Sequence, residues 1–117
     1  MTRLGYVDTL TMTRTAAGTI KANARVKLDS SGDVVEAGAE VGIGYAQQAA
    51  VTGKVIAVRL MNAPSWIALA NAAISIGDQV EAAAAGRIAT FSAGVKQGMA
   101  VTAATAQGDE VLVVPIL

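Results

Sequence analysis

The sequence predicts an all-β fold with little helix: a small barrel or sandwich built from two related β units. Three observations carry this. The 117-residue chain matches itself when shifted by 54 positions. Its apolar residues alternate in short runs punctuated by Gly-centred turns. Its apolar content is mostly alanine (25) and valine (14), against four aromatic residues, Tyr6, Tyr45, Trp66 and Phe91. Small side chains of this kind build thin, flat layers, whereas ligand pockets usually want aromatic and apolar walls around convergent polar groups.

The repeat sets the frame. Ile20 falls on Ile74, Val26 on Val80, Gly32 on Gly86 and Val34 on Ile88. Val41 then falls on Val95, Gly44 on Gly98 and Ala46 on Ala100, and after one inserted residue Gly53, Ile56 and Val58 meet Gly108, Val111 and Val113. The two units are read as 18–60 and 72–117, joined by 61–71, with 1–17 as an N-terminal arm and first strand.

Taken in order, residues 5–13 (GYVDTLTMT) alternate and are threonine-rich, which suits a strand. RVKLDSSGDVVEAG (25–38) reads as strand, turn, strand, with Gly32 in the left-handed position that closes the loop. Register places the alanines of EAAAAGR (81–87) at the second hairpin tip, although alanine is the best helix former. A four-residue helix is marginal in any case. Residues 41–46 and 95–101 are short glycine-containing strands, and GKVIAVRL (53–60) and GDEVLVVPIL (108–117) are the strongest strand signals. Pro115 marks the last strand as an edge, or its end as unpaired. MNAPSWIALANA (61–72) fits either a strand or one helical turn. Short strands at roughly 8–12-residue spacing indicate a barrel or a sandwich.

Composition also excludes several functions. No stretch reaches about 18 apolar residues without a charge or a polar cluster, so no membrane partner is expected. The start, MTRLGYVDTLTMTRT, lacks the apolar centre of a signal peptide. A net charge of zero argues against a nucleic-acid binder. The charges are uneven, however: Arg3, Arg14, Lys21, Arg25 and Lys27 face only Asp8 in residues 1–27, a net of +4. Such a segment reads either as solvated strand faces or as a basic patch docking on an acidic partner.

No catalytic, cofactor or metal residues are assigned. The chain has no histidine and no cysteine, which removes the usual general base, nucleophile and zinc ligands. Lys54 and Lys96 lie in turn-like contexts that favour solvation. Asp29 with Asp33, and Asp109 with Glu110, sit at turns, where aspartate mostly bonds its own backbone. Asp29, Asp33 and Glu36 are the nearest approach to a calcium loop. The glycines of GIG (42–44) lack the Lys-Ser/Thr and the helix of a phosphate loop. IGDQV and QGDEV resemble the turns of biotinyl and lipoyl carrier barrels, but neither tip holds a lysine to modify. Trp66 beside Pro64 reads first as a core plug and, if exposed, as an interface anchor.

The segment TIKANARVKLDSSGDVVEAGAEVGIGYAQQAAVTGKVIAVRL, followed by AISIGDQVEAAAAGRIAT and GDEVLVVPIL, resembles the small capsid decoration (cement) proteins of tailed bacteriophages. The resemblance spans about residues 18–117 and rests on an A-x-x-x-V-x-L-D-x-x-G-x-V opening and a shorter second copy. It implies a non-enzymatic virion protein with a small β-barrel or β-tulip-like core, on the outer capsid surface, made in the host cytoplasm and partnered by the major capsid protein. It further implies a homo-oligomer, a trimer before a dimer. The candidate interface residues are Arg3, Tyr6, Arg14 and Trp66. The competing reading is a small β-barrel binding module for a carbohydrate or a carried group, without catalysis.

Overall fold

The computed structural model describes residues 11–61 and 63–115. Among them are ten strands and a single 3-10 turn. The first unit comprises β1 (Thr11–Thr15), β2 (Arg25–Leu28), β3 (Val34–Glu36), β4 (Gly44–Ala46) and β5 (Val55–Leu60). The second comprises β6 (Trp66–Leu69), β7 (Gln79–Ala82), β8 (Ile88–Thr90), β9 (Lys96–Ala100) and β10 (Glu110–Val114), with the 3-10 turn at Ala84–Gly86. The fold is therefore all-β and made of two related units.

Each unit is one five-stranded antiparallel sheet, ordered β1-β5-β4-β2-β3 in the first and β6-β10-β9-β7-β8 in the second. The second order is the first with five added to every strand number. The repeat extends to single hydrogen bonds. Gly53 N–H donates to Ala16 O at 2.8 Å, and Gly108 N–H donates to Ala70 O at 2.8 Å. One parallel bridge, Ala16 to Val34, joins the chain just past β1 to β3 at the opposite edge, and Ala70 to Ile88 repeats it. Residues 61–72, open between strand and turn from sequence, hold β6, which takes in the second sheet the place of β1 in the first. β10 lies between β6 and β9, so Pro115 does not mark an edge strand; it follows the last strand residue, where no ladder bond is required of it.

Alternation places the cores. Ile56 and Val58 of β5 point inward with Ile20, Val26 and Val34, while Val55, Ala57 and Arg59 point out. In β10, Val111 and Val113 point inward with Ile74, Val80 and Ile88, while Leu112 and Val114 point out. Each sheet thus encloses its own small-residue core. Tyr45 is the exception: it lies on the outer face of the first sheet, yet it packs into the second core.

The four alanines form a hairpin tip. Ala82 ends β7, Ala83 is extended (φ −127°), and Ala84–Gly86 make one 3-10 turn before β8. Ala83 N–H donates to Arg87 O at 2.9 Å, as Asp29 N–H donates to Asp33 O at 2.8 Å across the first tip. Gly32 (φ +85°) and Gly86 (φ +72°) both occupy the left-handed region, where a Cβ is costly. Pairing of β7 with β8 overrides alanine's helix preference, because tertiary context outweighs a weak local propensity.

Candidate interaction surfaces

The most elaborate polar site of the molecule is the joint between the two units. It begins with a row of neighbours on the outer face of the first sheet: Arg25 pairs with Tyr45 across β2 and β4, and Tyr45 with Arg59 across β4 and β5. The second unit covers this row. Tyr45 stacks on Trp66 with ring centroids 5.4 Å apart and 17° between planes. Its hydroxyl donates to Gln97 Oε1 at 2.8 Å. Arg59 Nε donates to Ser65 O at 2.7 Å. Burial pushes the Tyr45 phenol up to about 12, since the anion would lose its hydration.

Arg25 is wholly buried, and among the described residues no carboxylate forms an ion pair with it. Its guanidinium instead reaches the second hairpin tip. Nη1 donates to Arg87 O at 2.7 Å, and Nη2 to Ala83 O at 3.1 Å and to Gly38 O. The planar fork of arginine suits several carbonyls at fixed angles. Burial lowers its pKa, while Tyr45 and Glu40 act the other way. The tip closes over the same place: Gly86 N–H donates to Ala37 O at 2.7 Å, and Lys21 Nζ donates to Ala85 O at 3.1 Å. A Cβ on Gly86 would meet Ala24 Cβ at 2.9 Å and Arg25 O at 3.0 Å, whereas one on Gly32 meets nothing within 4 Å.

These contacts use up most of the basic N-terminal segment. Arg25 is buried, Lys21 pairs with Glu36 at 2.9 Å, and Lys27 pairs with Glu40 at 2.5 Å. Lys27's hydrogen bond holds the Glu40 carboxyl down to about 2. Of the candidate interface residues, Arg14 sits exposed on β1. Arg3 and Tyr6 lie outside the described residues. Trp66, with 2% of its surface exposed, is a core plug in the joint rather than an anchor at the surface. Nothing in the sequence marks Arg25 for burial in the same joint, because a base alternating with valine looks like any solvated strand face.

The other polar groups serve local structure. Asp29 accepts from Ser31 N–H at 2.8 Å and Asp33 N–H at 3.0 Å. Asp109 accepts from Thr105 N–H at 2.9 Å and Ala106 N–H at 3.1 Å, which lowers its pKa. Lys54 is exposed, and Lys96 lies 4.7 Å over the Phe91 ring. Among the described residues no three acidic side chains come together as a metal site. An open groove of about 590 Å³ runs beside Ile20, Ala50, Val51 and Val55 of the first unit. Its walls are apolar, and the Lys21 at its rim is already paired with Glu36.

The chain matches no family model and no curated protein sequence. Among solved structures it is similar to the N base of the head fiber gp8.5 of bacteriophage phi29, seen by crystallography. The TM-score is 0.78, over 91% of this chain and 92% of that one, at 18% sequence identity. At this identity the likeness is one of fold, over nearly the whole chain.

Proposed function

We propose that this chain is a non-enzymatic structural protein of a phage virion, bound to the outer surface of the head. There it contacts the major capsid protein and stabilises the capsid lattice, as a homo-oligomer. The observation that carries the reading is the shared fold, over nearly the whole chain, with the base of a phage head fiber. The internal construction agrees with it. Polar side chains bond backbone, close turns or lock the two units together, and the cores are built mostly of Ala, Val and Ile, with Tyr45 and Trp66 added in the second. Such a body works through its surface. Many weak contacts repeated over a lattice hold firmly, because each attachment raises the effective concentration of the next. A carrier role has less support, since the tips at 29–32 and 82–86 offer no lysine.

The test is co-sedimentation of the purified chain with expanded empty heads of the phage that encodes it. Saturable binding at a fixed number of copies per capsid subunit, with heads that disrupt at higher temperature, is expected. Heads that sediment free of the chain overturn the proposal. Deleting residues 2–10 removes Arg3 and Tyr6 but leaves β1 whole, and weaker head binding is expected if the arm takes part.

A further inference from the structure

The joint within one chain has a counterpart that one chain leaves open. Superimposing the units by strand order puts Gln79, Met99 and Val114 of the second sheet where Arg25, Tyr45 and Arg59 stand in the first. In the first unit this row is covered. In the second it is exposed: Met99 is 36% and neighbouring Val101 42% accessible, and Ile67, paired with Leu112 on the same face, is 36% accessible. Apolar residues in adjoining positions on a sheet face need an explanation that a scattered surface leucine does not.

The receiving end of the joint repeats as well. Tyr45 enters beside Trp66 and Gln97 of the second unit. The same positions of the first unit hold Met12 and Ile43, both partly buried and packed at the margin of the first core. The residue types change together on the two sides. Tyr45 donates to Gln97 in the joint, while the open pair is Met99 and Ile43, with no polar atom to match on either side chain. Asn23 donates to Glu110 in the joint, while the open pair is Gly77 and Val55, and Val55 is 61% exposed. At both places the open surfaces match each other and not the covered ones.

We propose that the outer face of the second sheet, centred on Met99 and Val114, packs against the Met12–Ile43 end of a second copy of this chain. The contact repeats between copies the joint that holds the two units of one chain. It is heterologous, so it closes into a ring if the rotation it imposes closes. The inference deepens the homo-oligomer in the proposed function by naming its faces, but it stands on the repeat alone and not on the virion role.

The chain has no cysteine, which permits a clean test. Full-length Met12→Cys and Met99→Cys variants are co-expressed and oxidised. A disulfide-linked pair containing one of each is expected, with neither variant cross-linking alone. Met99→Cys linking to itself, or no linkage in the mixture, overturns the proposal. Light scattering supplies a second readout. Wild type should exceed the 11.8 kDa of one chain, and Met99→Glu, a charge placed on an already exposed position, should return to it with unchanged circular dichroism. Wild type at one-chain mass at every soluble concentration also overturns the proposal, as does Met99→Glu keeping the oligomer. If Met99→Glu abolishes head binding without changing the mass, the face belongs to the capsid, and the contact between copies is wrong. Head binding that survives loss of the cross-link refutes the contact alone.

Discussion

The two hairpin tips hold the same place in the two units and do different things. Asp29-Ser30-Ser31-Gly32 ends in solvent, closed by the Asp29 carboxylate. In the second tip Ala82, Ala83 and Gly86 are buried while Ala84 and Ala85 stay exposed, and Arg25 of the first unit grips the carbonyls of Ala83 and Arg87. The difference explains the alanines. A tip that faces water can use Asp and Ser to satisfy its own N–H groups. A tip that docks on a neighbouring backbone needs side chains small enough to let it approach, and its polar groups are satisfied from across the joint. Within one chain, one architecture is thus used twice, as an open tip and as a latch.

Paired substitutions at equivalent positions measure how far the two units have diverged. The largest gap is expected between Trp66→Ala and Met12→Ala. The first should cost about 4 kcal/mol, as for a fully buried tryptophan, and the second, half-exposed, about 1 kcal/mol, by chemical denaturation. Arg25→Met strips the donors from the carbonyls of Gly38, Ala83 and Arg87 and should cost about 3 kcal/mol. Gln79→Met, at the matching exposed position, should stay within about 0.5 kcal/mol. Gly32→Ala should cost about 1 kcal/mol for a left-handed alanine. Gly86→Ala should cost about 2 kcal/mol more, because its Cβ also collides with Ala24 and the Arg25 backbone.

A further contrast between the units is set by pH. Tyr45 is raised from 10.0 to about 12 in the fold, so the native state holds its proton more tightly than the unfolded state does. That stabilisation is complete below pH 10 and is lost as pH rises towards 12, by about 3 kcal/mol in all. Tyr45→Phe should remove this part of the alkaline slope, and an unchanged slope contradicts the assignment. Met99, the residue in Tyr45's place in the second unit, has no proton to lose. Glu40, lowered from 4.5 to about 2, contributes in the opposite direction: its pairing with Lys27 is complete above pH 4.5 and fades as pH falls through about 2. Glu40→Gln should flatten the acid limb in that window, and because the pair is exposed, added salt should mimic the substitution.

Much of this was readable from the sequence because it is local and repeated. Glycines at 32 and 86, 44 and 98, and 53 and 108 kept register across half the chain, and that register identified the alanines as a tip. The place of β6 was not readable. Its Trp66-Ile67-Ala68-Leu69 shares no residue with Met12-Thr13-Arg14-Thr15, since one edge faces the joint and the other does not. The burial of Arg25 was hidden for a related reason. Its partners are backbone carbonyls at 38, 83 and 87, and a carbonyl has no letter in a sequence. Pro115 misled only in part, because proline forbids continuation of a ladder and says nothing about what lies beside the strand it ends.

The account turns on the joint that makes two copies of one unit into a single body, and the lone tryptophan reports on it from within. Unfolding in urea followed by Trp66 fluorescence and by far-ultraviolet circular dichroism compares the joint with the two sheets together. Coincident transitions are predicted for the wild-type chain, parting into two for Arg25→Met as the units come undone separately. Transitions that already part in the wild-type chain would contradict the account.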